Sequence, residues 1–325
     1  MGYNDDVRML IEMAHMYYGS GATQDEIAKK FNISRSLVSK YMSKARDMGL
    51  VEITIHDENL HPYKLLEEKL KKRFDLEDII CVNSQDPSQI KSRIGIAAAK
   101  YLTRMMKPDS VIGVSAGTTV YEVASNVTVT IPMNNVVFVP LVGGLGKAQS
   151  DIQANVICDI FTRRTGGSSV ELHVPVMVDD VNAKHVLMTQ RFVKEVFDIA
   201  RNVDIAIVGI GGKPTYFEMT KAYFHKVDPL QETEAAQVTG DICYNFMDKF
   251  GKAIASDWNK RVMAIDLEEI KRIPLVIGVS GGPEKVAGIY AALVGQLINV
   301  LVTDVQTANK LLEMSQKETN GEEIK

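Results

Sequence analysis

The most informative segment of this sequence is Leu275-Val276-Ile277-Gly278-Val279-Ser280-Gly281-Gly282-Pro283-Glu284-Lys285. An apolar run that ends at glycines indicates a strand buried on both faces, as in a parallel sheet, followed by a turn into a helix. Such turns point backbone N–H groups beyond the sheet, where the helix dipole favours an anion. Lys285 strengthens this interpretation, because a cation in the first turn of a helix is unfavourable unless an anion neutralises it.

An earlier segment repeats the pattern: Val111-Ile112-Gly113-Val114-Ser115-Ala116-Gly117-Thr118-Thr119. Its glycine is followed by two threonine hydroxyls, which can donate hydrogen bonds to a phosphate alongside backbone N–H groups. The alternative is that the glycines only form tight turns and that Lys285 points into solvent. The repetition favours a phosphate-like ligand.

Length and composition indicate a soluble globular protein of about two domains, with 325 residues, 46% hydrophobic and 24% charged. We see no apolar run of about 18 residues that could span a membrane, and the acidic residues 1–6 differ from a signal peptide. Cys81, Cys158 and Cys243 are widely spaced and predict neither a disulfide framework nor a metal site. We therefore expect a cytoplasmic protein without a cofactor.

The N-terminal region begins with two predicted helices. Apolar residues at helical spacing predict the first over residues 7–18, and Gly19-Ser20-Gly21 ends it. Thr23 and Glu26 form a T-x-x-E capping box, which predicts a short second helix over residues 24–30.

A third helix is predicted over residues 35–48, after a tight turn at Asn32 and an N-cap at Ser34. Its predicted buried stripe is Leu37, Tyr41, Ala45 and Met48, with Val38 beside it. The opposite side is basic: residues 34–46 contain four basic residues and no acidic one, although the net charge of the whole chain is −4. Short hydroxyl side chains between long basic ones form a surface that can enter the major groove of DNA.

The candidate DNA-binding residues are Thr23, Arg35, Ser36, Ser39, Lys40, Ser43 and Lys44. Residues 51–55 alternate apolar and polar side chains, which predicts a strand or short wing after this recognition helix. The alternative is a three-helix module that docks another protein, but the capping box, tight turn and one-sided basic helix together favour a DNA-binding head.

The polar residues 56–62 predict a linker, so we assign residues 1–57 to the DNA-binding domain and 58–325 to a larger domain. A charged amphipathic helix is predicted over residues 63–74 and carries Leu65, Leu66 and Leu70. We expect this helix to bring two heads together.

From residue 79 onward, predicted strands alternate with predicted helices. The strands are 79–82, 111–115, 136–141, 170–174, 203–208, 275–280 and 300–303. The helices are 89–106, 152–163, 190–200, 283–296 and 305–314. This alternation is typical of βαβ units and predicts an α/β fold with a mostly parallel sheet.

Small residues crowd the ends of four predicted strands. These segments are 115–119, 142–146, 209–212 and 280–282. Ligands of such folds bind at the carboxyl ends of the strands. The four segments are either ordinary tight turns or, if several meet at one sheet edge, a phosphate-binding cradle.

Several motifs together resemble one family along nearly the whole chain. They are the helix-turn-helix, IGVSAGTT at 112–119, PLVGG at 140–144, VGIGG at 208–212, GDI at 240–242 and GGPEK at 281–285. The chain resembles the SorC family of bacterial transcriptional regulators, also called DeoR-like sugar-binding regulators. The resemblance implies a winged-type helix-turn-helix head and an effector domain resembling glucosamine-phosphate deaminase, ribose-phosphate isomerase and CoA transferase folds. It also implies homodimers or homotetramers that bind operator DNA and respond to phosphorylated sugars.

The resemblance also implies an effector-binding set. Gly117, Thr118, Thr119 and Lys285 would hold the phosphate, with Gly143 and Gly144 in the cradle, Asp241 accepting hydrogen bonds from sugar hydroxyls, Phe246 packing on the sugar, and Gln153 and Asn155 on the opposite wall. For Asp241 the alternative is a side chain that closes a turn onto its own backbone. For Gln153 and Asn155 the alternative is a solvated helix N-terminus.

Covalent effector capture is not expected, because Val142 precedes Gly143 and offers no amine for a Schiff base with a sugar aldehyde. An isomerase- or deaminase-type enzyme with a DNA-binding appendage is the alternative function. Such an enzyme needs a placed acid and base, and no histidine stands beside a carboxylate in the glycine-rich segments. Residues 209–212 also lack the G-x-G-x-x-G spacing of nicotinamide-binding folds. The sequence therefore favours a regulator that binds a sugar phosphate reversibly.

Overall fold

A computed structural model describes residues 3–51, 62–83, 85–144, 146, 150–213 and 236–319. The chain divides into two compact units, Met1–Pro62 and Tyr63–Lys325, which we call the head and the effector unit. The predicted wing at 51–55, apart from Val51, and most of the predicted linker, including the assigned boundary at residue 57, lie outside the described residues. Across the described ranges, no helix is both long and apolar enough to cross a membrane.

The head contains three helices in the predicted order. Helix α1 spans Tyr3–Ala14 and continues as a π-helical turn over His15–Gly19. It is followed by α2, Gln24–Phe31, and α3, Arg35–Asp47. The helix-turn-helix prediction is therefore confirmed.

Local hydrogen bonds fix the predicted helix starts. The Thr23 N–H donates to Glu26 Oε2 (2.8 Å) while the Glu26 N–H donates to Thr23 Oγ1 (3.3 Å), which completes the capping box. Asn32 has a φ of 51°, the left-handed conformation expected for the tight turn. The Ser34 hydroxyl accepts from the Leu37 N–H (3.2 Å) and so begins α3.

The buried side of α3 differs from the predicted stripe. Its buried side chains are Val38, Met42 and Ala45, whereas Leu37 and Tyr41 are half-buried and Met48 is 38% exposed. Val38 and Met42 pack with Met13, Ile27 and Ala28 in the core of the head. The prediction that Met48 is buried is wrong, because this core meets the helix about one residue position away from the predicted stripe.

The effector unit is built on a parallel sheet. Its strands are β1 Asp78–Val82, β2 Val111–Val114, β3 Val137–Pro140, β4 Ser168–Ser169, β5 Ile205–Gly211, β8 Leu275–Val279 and β9 Val300–Asp304. They lie in the order β1-β9-β8-β5-β2-β3-β4, all parallel. An antiparallel hairpin, β6 Gly240–Ile242 and β7 Asn245–Met247, extends from β5. The α/β prediction is confirmed.

Helices cover both faces of this sheet. They are α4 Lys64–Phe74, α5 Ile90–Met105, α6 Thr118–Asn126, α7 Ala154–Thr165, α8 Val181–Thr189, α9 Arg191–Ala200, α10 Asp257–Arg261, α11 Leu267–Ile270, α12 Val286–Val294 and α13 Val305–Thr319. Strand β8 is buried along its whole length, and its successive side chains belong to two different apolar clusters. Because side chains alternate along a strand, one cluster lies on each face of the sheet.

Two predicted elements need correction. Residues 170–174 do not form the predicted strand, because β4 is the short pair Ser168–Ser169 and the backbone of Leu172 bonds the Asn155 side chain instead of a neighbouring strand. The predicted helix 283–296 begins as a single 3-10 turn over Pro283–Lys285, and the α-helix starts at Val286.

Helix α4 packs on its own unit. Leu70 is fully buried and Leu66 partly buried in the core cluster that also contains Leu311 of α13, while Leu65 is 66% exposed. Two of the three leucines expected to bring heads together therefore serve the core of the effector unit.

Candidate functional site

Four consecutive strands carry the glycine-rich ends. Strands β8, β5, β2 and β3 are neighbours and parallel, so their carboxyl ends lie at one edge of the sheet. The segments at these ends contain Gly281 and Gly282, Gly211 and Gly212, Gly117, and Gly143 and Gly144. Several of the glycine-rich segments therefore meet at one sheet edge, which is the condition under which the sequence predicts a phosphate-binding cradle.

The turn after β2 leaves backbone donors at the start of α6. Gly117 has a φ of 131°, a conformation that strongly favours glycine, and its N–H donates to the Ile152 carbonyl (3.0 Å). The N–H groups of Thr118, Thr119 and Val120 follow, and the first N–H groups of a helix have no acceptor within it. Within the described chain, no side chain caps this helix start. These donors can receive an anion at the positive end of α6.

The turn after β8 is held by hydrogen bonds to two side chains at and after the end of β9. Gly282, with a φ of 104°, donates its N–H to Asp304 Oδ2 and to Thr307 Oγ1, both at 2.9 Å. A side chain at Gly281 would bring its Cβ to 2.6 Å from Asp304 Oδ2, so glycine is required at this close approach. The turn ends at Lys285, whose side chain is half-buried.

Asp241 lies near Lys285 at the end of β5. In the hairpin Asp241 pairs with Gly211, where a Cβ would overlap Asp241 Oδ1. A Cβ at Gly212 would lie 3.6 Å from Lys285 Cδ, so the lysine side chain passes over the end of β5. Among the residues that the structure describes, none forms an ion pair with Lys285 within 4.0 Å. The ammonium can therefore serve an added anion.

The surroundings of Asp241 change its acidity. Burial raises the pKa of its carboxyl to about 6, against the opposing effects of the Lys285 ammonium and of a hydrogen bond from the Tyr244 N–H. The Tyr244 bond means that Asp241 does close the turn onto its own backbone. Cys243 and Tyr244 have φ values of 50° and 63°, so both central residues of this two-residue turn are left-handed without being glycine. Such strain is often found at binding sites.

Gly143 and Gly144 serve the fold in this structure. The Gly143 N–H donates to the Met263 carbonyl and the Gly144 N–H to the Val174 carbonyl, both at 2.8 Å. A Cβ at Gly143 would lie 2.7 Å from the Val174 and Pro175 carbonyl oxygens. These glycines permit close backbone approach, and because their donors are engaged they are not available to a phosphate.

Gln153 and Asn155 also make structural contacts. The Asn155 amide group donates to the Leu172 carbonyl (3.1 Å) and accepts from the Leu172 N–H (3.0 Å). Gln153 Nε2 donates to the Gly146 carbonyl at 2.6 Å. The two side chains thus fix neighbouring segments, so neither is simply a solvated helix start.

Phe246 lies below the surface of the hairpin. Only 2% of it is exposed, and its ring stacks on Trp258 with centroids 4.9 Å apart. The ring therefore supports the hairpin that carries Asp241, and a direct sugar contact would need this buried cluster to open. Sequence reasoning missed Asp304 and Thr307, although an Asp-x-x-Thr pattern at a strand end is a recognisable helix-start signal.

The predicted DNA-binding face of the head is accessible. Arg35, Ser36, Ser39, Lys40 and Lys44 are exposed, as is Thr23, and Ser43 is half-buried. Arg35 Nη1 lies 3.8 Å from Asp25 Oδ2, and both side chains are well exposed. An exposed pair of this kind is weak, so Arg35 can leave Asp25 and contact DNA instead. The Thr23 hydroxyl already donates to Glu26 Oε2 (2.9 Å), so its first task is the capping box.

Comparisons with known proteins agree with this division of the chain. The family model described as "Putative sugar-binding domain" matches residues 60–313, and that described as "Winged helix-turn-helix DNA-binding" matches residues 18–52. The chain is 29% identical to the Sorbitol operon regulator of Klebsiella pneumoniae over 320 residues, which covers 96% of this chain and 100% of the relative. It is 28% identical to the Deoxyribonucleoside regulator of Bacillus subtilis, with coverage of 94% and 97%.

Solved structures give the same result. The crystal structure of the full-length Sorbitol Operon Regulator SorC from Klebsiella pneumoniae matches with a TM-score of 0.70 and 28% identity, covering 94% of this chain and 99% of that one. The relatives are named as regulators, among them the Transcriptional regulator LsrR of Escherichia coli, which decides against the enzyme alternative. The chain therefore belongs to the SorC family of transcriptional regulators, with an N-terminal helix-turn-helix and a sugar-binding domain.

Proposed function

We propose that this protein regulates a carbohydrate operon from the cytoplasm, and that reversible binding of a phosphorylated sugar modulates its affinity for operator DNA. The observation that carries the proposal is the pairing of an uncapped helix start at Thr118 with the Lys285 ammonium at one sheet edge. Strands β2 and β8 flank β5, so their ends are about 10 Å apart at the usual strand spacing. Lys285 reaches over β5 and so reduces this gap.

The phosphate is the favoured anchor because its charge matches these groups. A phosphate monoester carries nearly two negative charges at neutral pH, and helix-start N–H groups, threonine hydroxyls and an ammonium all donate to it. Of the predicted set we retain Gly117, Thr118, Thr119 and Lys285 for the phosphate. Asp241 is retained for sugar hydroxyls.

The remaining members of the set have a supporting role in this proposal. Gly143, Gly144, Gln153 and Asn155 shape the walls through their backbone contacts, and Phe246 supports the turn below Asp241. On the DNA side, the exposed face of α3 supports base readout by Arg35 and phosphate contact by Lys44. We further propose that a homodimer or homotetramer presents the heads in pairs.

The test is a thermal-shift screen against pentose and hexose phosphates, each beside its unphosphorylated sugar. A sugar phosphate at 100 times its dissociation constant should stabilise the protein by about 2.7 kcal/mol, whereas the free sugars should have little effect. The same compound should then change operator affinity in fluorescence anisotropy. Equal stabilisation by a sugar and its phosphate would contradict the phosphate anchor.

A further inference from the structure

The turn after β8, residues 280–285, is called the phosphate turn below, and a buried carboxylate on the next strand holds it. Asp304, at the end of β9, is 1% exposed, and its Oδ2 accepts from the Gly282 N–H (2.9 Å) and from the Thr307 hydroxyl (2.5 Å). The Thr307 hydroxyl in turn accepts from the same Gly282 N–H (2.9 Å). The backbone immediately before Lys285 is thus fixed by two buried side chains.

The other oxygen of Asp304 has a separate task. Oδ1 accepts from the Gln306 and Thr307 N–H groups, both at 3.0 Å, and so caps the start of α13. One carboxylate therefore ties the phosphate turn to the first turn of α13. Because the cap of α13 uses Oδ1 and the Gly282 N–H bonds Oδ2, the two connections can be altered separately.

Helix α4 contacts α12 and α13, the two helices that begin beside the phosphate turn and Asp304. Arg73 Nη2 donates to the Ser315 carbonyl of α13 (3.1 Å), and the Phe74 ring meets the Tyr290 ring of α12 edge-on at 5.6 Å. Helix α12 itself begins directly after Lys285. Both helices that start beside the phosphate turn thus touch the same partner helix.

The beginning of α4 lies at the effector edge of the sheet. Glu67, in the first turn of α4, accepts from the Cys81 N–H at 2.7 Å, and Cys81 pairs with Thr303, the neighbour of Asp304. Since Cys81 is near the carboxyl end of β1, the N-terminal end of α4 is at the same edge as the phosphate turn. Along the chain, α4 is the first helix after the head.

We propose that Asp304 is a positioning residue that holds the phosphate turn and couples its occupancy to α4, through β1 at the start of α4 and through α12 and α13 at its end. The inference rests on the proposed function, since the turn must bind the phosphate of the effector. An effector changes a distant equilibrium only through contacts that differ between two states. In this proposal, a change in the phosphate turn reaches α4, the first helix after the head, through Asp304.

Asp304→Asn separates the two tasks of the carboxylate. With its oxygen at Oδ1, asparagine keeps the cap of α13 but presents an N–H₂ group to the Gly282 N–H, which removes the acceptor that holds the turn. Thr307→Val removes the second acceptor, and Thr307→Ser restores it. Thr165→Val is the matched control, because the buried Thr165 hydroxyl also donates to a helix carbonyl (Phe161, 2.8 Å) and accepts from a turn N–H (Gly167, 3.2 Å) just before β4.

The experiment measures operator affinity by anisotropy with and without a saturating probe, in the full chain. The probe is the pentose or hexose phosphate that most raises the melting temperature of the wild-type protein. We expect Asp304→Asn and Thr307→Val to bind the probe about tenfold or more weakly and to lose most of the change in operator affinity even at saturation. Thr307→Ser and Thr165→Val should keep the wild-type change.

Lys285→Ala distinguishes the two proposals. It should need more probe but should reach the full change at saturation, because it removes a binding group and leaves the junction intact. If no sugar phosphate stabilises the wild-type protein, the proposed function itself fails. If Lys285→Ala weakens binding while Asp304→Asn shows the full wild-type change at saturation, the coupling role of Asp304 is wrong and the proposed function stands.

Discussion

At the residue scale, Lys285 is the group whose removal should affect ligand binding most selectively. It stands half-buried over the end of β5 and near Asp241. Lys285→Ala removes a charge-assisted hydrogen bond worth roughly 1.5–3 kcal/mol, or about ten- to hundredfold in effector affinity. Operator affinity without effector should remain at the wild-type value. Anisotropy titrated with the sugar phosphate measures both quantities.

A matched control is Lys271→Ala, because Lys271 is exposed and precedes β8 at the opposite edge of the sheet. It removes the same charge from the same unit and should leave the effector titration unchanged. An unaltered response in Lys285→Ala would mean that this side chain faces solvent.

Asp241 should make the stability of the free protein depend on pH. Its pKa in the folded protein is raised to about 6, mainly by burial. A carboxyl with a raised pKa stabilises the fold fully below the pKa of the unfolded chain and loses that contribution as the pH rises through 6. Asp241→Asn should therefore be more stable than the wild type at pH 7.5, by about 1–3 kcal/mol at ~1.4 kcal/mol per pKa unit.

The advantage of Asp241→Asn should shrink toward zero as the pH falls from 6 to 4. Asparagine can still accept from the Tyr244 N–H, so the turn is kept. Urea unfolding of both proteins across this range measures the difference. A wild type that is the more stable protein at pH 7.5 would show that Asp241 is favourably ionised, contrary to this account.

In the head, Arg35 should contact bases of the DNA and Lys44 should contact its phosphates. Both are exposed on α3. Arg35→Ala should weaken operator binding by ~1–3 kcal/mol if the guanidinium contacts a base pair through two hydrogen bonds, with a smaller effect on nonspecific DNA. Lys44→Ala should weaken both alike and reduce the salt slope by about one unit. Equal losses on both DNAs for both variants would refute base readout by Arg35.

At the element scale, long periodic segments were predictable because their signals are local. Helices α5 and α13 and strands β8 and β9 appear within a few residues of the predicted bounds. The apolar residues 170–174 are typical of a strand, but the partner of Leu172 is the distant side chain of Asn155, which the sequence does not reveal. The hairpin β6–β7 has strands of only three residues, too short for a periodic signal.

In the candidate site too, local patterns are recognisable in the sequence, whereas contacts between distant segments are not. Gly117, Thr119 and Lys285 can be proposed from the sequence, because a glycine turn beside hydroxyls or a cation is a local chemical pattern. At Gly143 and Gly144 the sequence does not separate close packing from anion binding, because both require glycine. The role of Asp304 depends on β9 lying beside β8, which follows only from the sheet order. The resemblance of the effector unit to sugar-phosphate isomerase and deaminase folds stays a prediction.

At the scale of the whole molecule, a chain with a net charge of −4 carries its predicted, basic DNA-binding face on one small unit. A negatively charged protein is repelled by DNA elsewhere on its surface, so binding depends on correct presentation of the heads. Since Leu70 of α4 is buried and Leu66 partly buried in the effector unit, we expect other surfaces of that unit to make the contacts between subunits.

The pairing of the heads should determine the form of the operator. One head offers a single short recognition helix, too few contacts for tight specific binding, so an oligomer with two-fold symmetry should occupy two half-sites related by the same symmetry. Footprinting should show two protected half-sites a whole number of helical turns apart, and mutating either one should reduce the affinity of the whole complex. Inserting five base pairs between them should weaken binding strongly, because it turns one half-site to the opposite face of the duplex, whereas inserting ten should weaken it less. A single unrepeated half-site bound by a monomer in light scattering would refute the paired arrangement.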